Sequence, residues 1–573
     1  MLGIEHRNPE HPAMPPLPGG YRRDRSPSSA HTTRCAPRAS ENSSARITLL
    51  PFRVRSGFAV SESGSTPVPD DLFPTDQRPC IPVRWVSGHQ SLLGWRDVLL
   101  HAHEIEDLAL PLPPAASAAL RVLTAITARI TDLDDPDMSA GEWADHRHHL
   151  LTSPHGGFDP DRIHAYFDQY TFSLYDPDRP FLQDPRLAHQ CATPSGVNKL
   201  AYGRPEGNGL AWLSPHRDTD PQPLPSHQAL WHLLIHHFYG AAGRCTPRTV
   251  DGTTRADAKA GPLRSTLSFH PLAGTLCQTL LAGLPPPSQQ WPDADDACPW
   301  EEALPAPFGP QPPVTWPGRL LTGRSCHALL LVPDDDGSHT TDAYVTWATH
   351  HPQPALDPYL LHDVNTARAV PVTSRHRPRL ADTDRALWRD LDALLLAGDE
   401  TSRTHRPNAF TTLNDLPPEV RTGLRVRAHG FDQDPKTVNK TWYTALTPPI
   451  WPWLQDNNPT AAERLVECRI AAEATGALLD TVSRTAWKTA NNTTRLPKTL
   501  TPFTRQARTA YWPKAETTFW HLLDHPDIPA RPAFTTDAVN ALRTATRAAL
   551  HQQFRAAEAI ACAIGQLRAG ART

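Results

Sequence analysis

The chain has 573 residues, of which 39% are hydrophobic and 20% charged, the composition of a soluble globular protein with more than one core. Its formal net charge of -4 excludes a globally basic protein, so any site for a polyanion must be a local patch. The 62 prolines predict long, irregular connections between helices and strands.

Nine cysteines are scattered along the chain without a C-x-x-C pair. This spacing excludes a paired zinc motif and a dense disulfide framework, and it predicts buried thiols in a reducing compartment. We find no signal-peptide pattern and no run close to the ~18 apolar residues of a membrane span. We therefore expect a cytoplasmic protein that does not contact a membrane.

Residues 1–70 are rich in Pro, Ser, Arg and Gly and predict a disordered tail, interrupted by an apolar stretch at Ile47–Val54. The folded part begins with a strand at Cys80–Trp85. Apolar periodicity then predicts further elements. The expected helices are Trp95–Leu108, Pro114–Thr131, Pro160–Phe172 and Ser226–Tyr239, and the expected strands are Ala328–Pro333, Ala343–Ala348 and Leu424–His429. The Asp-Gly sequence at Asp336-Gly337 predicts a hairpin turn.

The last ~115 residues are predicted to be helical. Pro459 after Asn458 is typical of a helix start. Two further long helices are expected over Thr501–Leu523, which Pro513 should kink or split, and over Thr536–Ala569. The sequence thus predicts an α+β fold with a mixed α/β domain over residues 71–450, followed by a C-terminal helical bundle of three long helices over 451–573.

Catalytic motifs are absent: we find no G-x-x-x-x-G-K-[ST], G-x-G-x-x-G, G-x-S-x-G or H-E-x-x-H sequence, which lowers the expectation of an enzyme. The 29 histidines are the most enzyme-like feature. An alternative function is therefore a metal-dependent hydrolase, because imidazoles four residues apart on a helix can bind a metal. Its candidate ligands are His146, His149, His232 and His236. Their apolar neighbours favour packed histidines instead.

Five segments follow one another within about residues 75–570: Ile81–Arg84, Tyr175–Gln183, Leu263–Leu284, Val314–Trp316 and Ala386–Leu391. Taken in this order, they resemble the CasA family, the large subunit of the type I-E CRISPR Cascade surveillance complex. The resemblance implies a non-catalytic subunit without a cofactor or metal. Its implied partners are the crRNA-containing Cascade subunits, target double-stranded DNA next to a short flanking motif, and a helicase–nuclease recruited after strand opening.

The resemblance also implies a DNA-contacting loop after the helix that ends at Tyr239. The loop is Gly240-Ala241-Ala242-Gly243, followed by Arg244. Small residues allow the backbone to approach a groove, and Arg244 offers a phosphate or groove contact. The two alanines depart from the family's glycine-rich pattern. A simple helix C-cap at Gly240 is the alternative interpretation.

A second implied element is the hairpin Leu424–Tyr443, whose tip is expected at Gly430–Lys436. Gln433 aligns with the glutamine wedge that the family inserts into DNA, and the alternative is an ordinary turn. The implied crRNA docking loop contains Asn208, Trp212, Leu213 and Ser214, and Trp212 could stack on a base or belong to the core. The family's lysine finger has no clear equivalent, although Arg319 or Arg324 could replace it.

Deletion of residues 1–70 should leave folding intact, because this segment lacks a core-forming pattern. We expect the truncated and full-length proteins to have melting temperatures within about 2 °C of each other in differential scanning calorimetry. A large fall in melting temperature would show that the segment packs on the folded part.

Overall fold

The computed structural model describes residues 73–205, 214–287, 294–364, 376–396, 404–434, 438–454, 458–552 and 554–571. The predicted tail 1–70, with its apolar stretch Ile47–Val54, lies outside these residues. Within them, no helix combines the length and the apolar character needed to cross a membrane. The fold is mixed, as the sequence predicts, with small sheets in the first part and long helices at the C-terminal end.

Fifteen helices lie in the described residues, besides short 3-10 turns. They are α1 (Trp95–Leu100), α2 (Pro113–Thr131), α3 (Ala140–Leu151), α4 (Pro160–Gln169), α5 (Leu187–Gln190), α6 (Val197–Leu200), α7 (Ser226–Tyr239), α8 (Leu276–Gly283), α9 (Gly318–Thr322), α10 (Leu391–Leu395), α11 (Pro418–Gly423), α12 (Pro459–Ala490), α13 (Pro502–Asp524), α14 (Ala530–Gln552) and α15 (Phe554–Gly570).

Fourteen short strands form five small sheets in the same part of the chain, with the orders β2-β1-β3, β11-β10-β12, β14-β13-β7, β4-β9-β8 and β5-β6. The strands are β1 (Ile81–Trp85), β2 (Gln90–Leu93), β3 (Ile105–Leu108), β4 (Leu224–Pro225), β5 (Gly243–Val250), β6 (Thr253–Ala258), β7 (Leu267–Leu272), β8 (His327–Pro333), β9 (His339–Trp347), β10 (His362–Val364), β11 (His376–Pro378), β12 (Thr404–His405), β13 (Arg425–Gln433) and β14 (Asn439–Leu446). Every pairing between these strands is antiparallel.

The predicted β8–β9 hairpin is confirmed, and Gly337 occupies the left-handed region with a φ of 69°. The single helix predicted over Trp95–Leu108 is wrong, because the chain forms α1 and then the strand β3. Pairing of β3 with β1 buries Ile105 in the core, and this long-range contact overrides the local helical pattern.

Helix α2 is the centre of the first part. All of its residues except Arg129 are buried. Its alanine-rich sequence has high helix propensity and lets neighbouring elements approach closely, and Pro113 and Pro114 occupy the first turn, where their missing N–H groups cost nothing. A helix that is apolar on all sides belongs inside a protein. It packs against α7, α8, α9, β13 and β14.

Arg121 is a buried charge in the middle of α2. Its guanidinium donates to both carboxylate oxygens of Asp357, at 2.8 and 2.9 Å, and to Ser268 Oγ at 2.9 Å. Arg324 contacts the same carboxylate. Burial alone would raise the pKa of Asp357, but the charges of Arg121 and Arg324 outweigh it and hold this pKa well below its ordinary value. The carboxylate is therefore ionised and joins α2 to the segments around residues 324 and 357, while Arg121 itself reaches β7 through Ser268.

Four helices, α12 to α15, form the C-terminal bundle, in which α12 packs on the other three. The prediction of three long helices is wrong, because two helices, α14 and α15, stand where a single one was expected over Thr536–Ala569. No Gly or Pro marks this division, so the periodicity gave no signal for it. Helix α13 continues through Pro513, because buried Tyr511, Ala515 and Phe519 pack on both sides of it.

The bundle is attached to the preceding part by arginines that bind acidic side chains across the junction. Arg385 and Arg389 donate to Glu473 at 3.0 and 2.8 Å. The Trp388 and Phe519 rings also lie 4.6 Å apart. The proposed domain boundary at residue 450/451 thus precedes a packed junction, and the division itself stays a prediction.

The buried ion pair of α2 gives a stability prediction. Asp357→Asn should lower the free energy of unfolding by about 3–5 kcal/mol, because it leaves Arg121 charged and without a carboxylate in the core. Asp132→Asn is the matched control: it removes the carboxylate of the exposed Arg162–Asp132 pair and should cost less than about 1 kcal/mol. Urea denaturation at pH 7 measures both, and equal losses would contradict the role given to Asp357.

Candidate nucleic-acid interface

The loop predicted to contact DNA follows α7 directly. Helix α7 ends at Tyr239, as expected, and Gly240 comes next with φ -55° and ψ 146°. A Cβ at Gly240 would lie 2.4 Å from His327 Cε1 and 2.5 Å from the His236 carbonyl oxygen, so only glycine fits. Gly243 has a φ of 116°, which also favours glycine. The alanines between them are compatible with this backbone.

Backbone hydrogen bonds hold the loop against the segment that follows β6. The Gly240 carbonyl accepts from Gly261 N at 2.9 Å, and the Phe238 carbonyl accepts from Leu263 N at 2.8 Å. His327 Nε2 donates to the Ala241 carbonyl at 3.0 Å. The loop is therefore positioned from two sides.

The histidines behind the loop are uncharged at neutral pH. Burial lowers the pKa of His327 and of His237 to about 4. Burial holds the pKa of His236 well below its ordinary value. The wall behind the loop thus carries no histidine charge, and the attraction for an anion must come from exposed arginine and lysine side chains.

Gln433 does not lie at an exposed hairpin tip, so this part of the prediction is wrong. It is the last residue of β13, opposite Asn439, and only 3% of its surface is exposed. Its Oε1 accepts from Ser265 N at 3.2 Å. Its Nε2 donates to the Tyr239 carbonyl at 3.3 Å and to Asn439 Oδ1 at 2.8 Å. Gln433 therefore connects the hairpin to the end of α7.

Arg264 makes a second connection between the loop and the hairpin. It donates to the Tyr239 carbonyl at 3.2 Å, to Asn439 Oδ1 at 2.9 Å and to the Val438 carbonyl at 3.2 Å. The sequence did not single out Arg264, because nothing in its local pattern distinguishes it from the other arginines. With Gln433 it makes the loop and the hairpin one structural unit.

The acidic residues of the hairpin have cationic partners. Asp432 is buried, and its Oδ1 accepts from Lys440 Nζ at 2.8 Å. Asp434 Oδ1 lies 3.9 Å from Arg264 Nη2. Alone, these two charges would repel phosphates, and they are largely compensated within the hairpin.

Two exposed cations flank the loop, Arg244 in β5 and Lys259 just after β6. Neither forms an ion pair with any residue that the structure describes. Asp257 lies opposite Arg244 in the β5–β6 register. The prediction missed Lys259, although it is one of only seven lysines in the chain. Exposed and unpaired in this region, both side chains can reach a phosphate.

Arg319 and Arg324, which were suggested in place of the lysine finger, are not free to contact DNA. Arg319 Nη2 lies 2.7 Å from Glu302, and Arg324 is bound to Asp357 in the core. Both arginines have structural partners, so this suggestion is wrong.

Most of the predicted crRNA docking loop, including Asn208, Trp212 and Leu213, lies outside the described residues. Ser214 lies within them, and its Oγ accepts a hydrogen bond from His216 N at 3.2 Å. Docking of crRNA by this loop therefore stays a prediction.

The structure does not support the metal-hydrolase alternative. His146 bonds to the Thr131 carbonyl at 2.7 Å, and His236 Nε2 bonds to the Leu200 carbonyl at 2.9 Å. His232 Nδ1 accepts from Tyr202 N at 3.2 Å, and His149 is exposed. Across the described ranges, no group of three or more His, Cys, Asp or Glu side chains is placed to hold a metal ion. The candidate ligands are structural or solvent-exposed histidines.

His327 also lines a cavity of about 480 Å³. The Tyr175–Gln183 segment, singled out in the sequence, supplies Arg179, Phe181 and Leu182 to its wall. Arg179 donates to the Trp300 carbonyl at 3.2 Å and so fixes the opposite side. The segment therefore shapes the region behind the loop.

Gln433→Ala should destabilise the fold, because it leaves the buried Ser265 N–H without its hydrogen-bond acceptor. We expect the free energy of unfolding to fall by about 1–3 kcal/mol. Gln506→Ala, at an exposed position of α13, is the control and should change it by less than about 0.5 kcal/mol. Chemical denaturation compares the two variants, and equal values would mean that the Gln433 hydrogen bonds contribute nothing.

Comparison with known proteins agrees with this architecture. The family model of CRISPR-associated protein Cse1 matches residues 77–557. A solved structure named as a CRISPR RNA-guided surveillance complex has a TM-score of 0.77 and 37% identity, covering 86% of this chain and 99% of that chain. A second, named as the pre-nicking complex, has a TM-score of 0.69 and 37% identity, with 86% and 98% covered.

More distant structures share the fold. Thermus thermophilus CasA (Cse1) has a TM-score of 0.65 and 20% identity, covering 87% of this chain and 99% of that chain. No curated protein matches the sequence. The Thermus name joins CasA and Cse1, so the resemblance found in the sequence is confirmed, and the chain belongs to the CRISPR-associated protein Cse1 family.

Proposed function

We propose that this chain is the non-catalytic large subunit of an RNA-guided surveillance complex and that it recognises the duplex flanking a target. The observation that carries the proposal is the rigidly held loop Gly240–Gly243, with Arg244 exposed beside it. Family membership and 37% identity to a chain of a CRISPR RNA-guided surveillance complex support the same assignment.

The chemistry of the loop suits a duplex groove better than a small ligand. Its side chains are hydrogen or methyl groups, so its backbone can lie close to a sugar–phosphate wall. Because the loop is fixed by His327, Gln433 and Arg264 before DNA arrives, binding does not have to order it. Arg244 and Lys259 then supply charge for phosphates without unpairing an internal salt bridge.

Strand opening is assigned to the end of the β13–β14 hairpin. Val438 is 56% exposed there, and Lys440 is exposed beside it, whereas Gln433 faces inward. An apolar side chain at a supported turn can press on a base step while a lysine binds the backbone. Insertion of Gln433 itself stays a prediction, and it would require the side chain to leave its three hydrogen bonds.

The remaining assignments follow from the family. We assign crRNA-containing Cascade subunits, target double-stranded DNA and a helicase–nuclease as partners, in the cytoplasm. Under this proposal residues 71–450 recognise the duplex and residues 451–573 form a separate bundle domain. The chain would position nucleic acid and would leave cleavage to the recruited nuclease.

Arg244→Ala tests the proposal. It should weaken binding of a short duplex by about tenfold and lower the slope of log affinity against log salt by about one unit, since one phosphate contact is lost. Fluorescence anisotropy between about 50 and 200 mM salt measures both quantities.

Arg425→Ala is the matched control, because Arg425 is exposed and begins the same strand that Gln433 ends. It should bind the duplex as the unaltered protein does. If the two variants behave alike, or if duplex binding does not depend on salt, the loop is not a DNA site.

A further inference from the structure

Two long stretches of the bundle contain no acidic residue. Residues 481–515 carry seven arginines and lysines without an Asp or Glu, and residues 538–557 carry three arginines without one. In a chain with a net charge of -4, stretches of this kind are local concentrations of positive charge.

The fold brings the two stretches to one end of the bundle. Ala490 at the end of α12, Phe503 at the start of α13, Ala549 near the end of α14 and Ala556 and Ile560 in α15 pack in a single apolar cluster. The connection between α12 and α13 and the division between α14 and α15 therefore lie together. We call this region the bundle tip.

Six exposed cations lie within about one and a half turns of the tip. They are Lys488, Arg495, Lys498, Arg505, Arg547 and Arg555. None of the six forms an ion pair with another residue in the described part of the chain. The nearest acidic residue along α15 is Glu558, one turn after Arg555.

Helix stability does not explain all of these positions. Lys488 and Arg547 lie near helix C-termini, where the helix dipole favours a cation. Arg505 and Arg555 lie in the first turns of α13 and α15, where the dipole disfavours one. Both of these unfavourable positions lie at the same end of the bundle, so helix stability does not account for the positive charge there.

The tip also exposes an aromatic ring. Phe554 is the first residue of α15, and 86% of its surface is exposed, the largest value among the large hydrophobic residues described. Leu550 and Leu496, at the same end, are 37% and 39% exposed. An exposed aromatic side chain at the same end as several exposed cations is the arrangement with which proteins bind unpaired bases, by stacking on the ring and by phosphate contacts.

We propose that the bundle tip binds single-stranded nucleic acid, with Phe554 stacking on a base and the six cations holding the backbone. A duplex fits less well, because its bases present only their edges and Phe554 needs an open base face. This site is separate from the duplex-binding loop and does not depend on the function proposed for that loop.

The test measures binding of a fluorescein-labelled thirty-nucleotide oligothymidylate to the full chain by anisotropy. Oligothymidylate has little structure of its own, so it reports single-strand binding. Phe554→Ala should weaken binding by about tenfold, and Phe554→Trp should restore it. Arg505→Glu with Arg555→Glu should weaken binding by at least about a hundredfold at low salt and flatten its salt dependence.

Arg531→Glu is the matched control, since Arg531 is the second residue of α14 at the opposite end of the bundle, as Arg555 is the second residue of α15. It should leave oligothymidylate binding unchanged, and all variants should keep the unaltered melting temperature. If Phe554→Ala and the double charge reversal bind as Arg531→Glu does, the tip is not a nucleic-acid site.

Arg244→Ala separates this proposal from the duplex-binding function. It should keep full affinity for oligothymidylate while its duplex affinity falls, whereas the tip variants should show the reverse pattern. Loss of oligothymidylate binding in Arg244→Ala would overturn the tip assignment, because the strand would then bind at the loop.

Discussion

The ion pair between Arg121 and Asp357 is the constraint on which the first part of the structure depends. A guanidinium in the middle of a buried helix has no access to water, so the surrounding elements must supply its partners. Asp357 supplies a bidentate carboxylate and Ser268 a hydroxyl. The Tyr359 ring lies 4.9 Å from the same guanidinium. Helix α2 can therefore occupy the core only in one position relative to β7 and the 357–359 segment.

The position of the loop Gly240–Gly243, which we propose binds the duplex, follows from this constraint. Ser268 lies in β7, and three residues earlier the backbone of Ser265 donates to Gln433. Gln433 and Arg264 both donate to the Tyr239 carbonyl, which precedes the loop. The Arg121–Asp357 ion pair thus fixes β7, and Gln433 and Arg264 then fix the position of Gly240 relative to β7. Preorganisation of this kind is what a backbone-mediated groove contact requires.

The sequence predicted those features that depend on local pattern. The boundaries of α7 and the β8–β9 turn follow from periodicity and from an Asp-Gly pair, and the order of five weak segments indicated the family. Features set by distant contacts could not be predicted: the burial of Gln433 depends on Tyr239 and Ser265, far away in the sequence, and β3 replaces a helix because it pairs with β1. No Gly or Pro separates α14 from α15, so the sequence did not predict two helices there. Lys259 could not be singled out from the sequence, because its proximity to the loop Gly240–Gly243 is visible only in the fold.

The net charge of the chain does not indicate the candidate nucleic-acid sites, because internal ion pairs neutralise many of its arginines. Five buried or half-buried acids among the described residues each bind two arginines: Asp107, Asp184, Asp357, Asp390 and Glu473. Much of the arginine content therefore stabilises the fold and does not face a ligand. Arg244 and Lys259 beside the loop and the six cations of the bundle tip are exposed and form no ion pair among the described residues, so the informative quantity is the charge left after internal pairing. On that measure a chain with a net charge of -4 carries two positive surfaces.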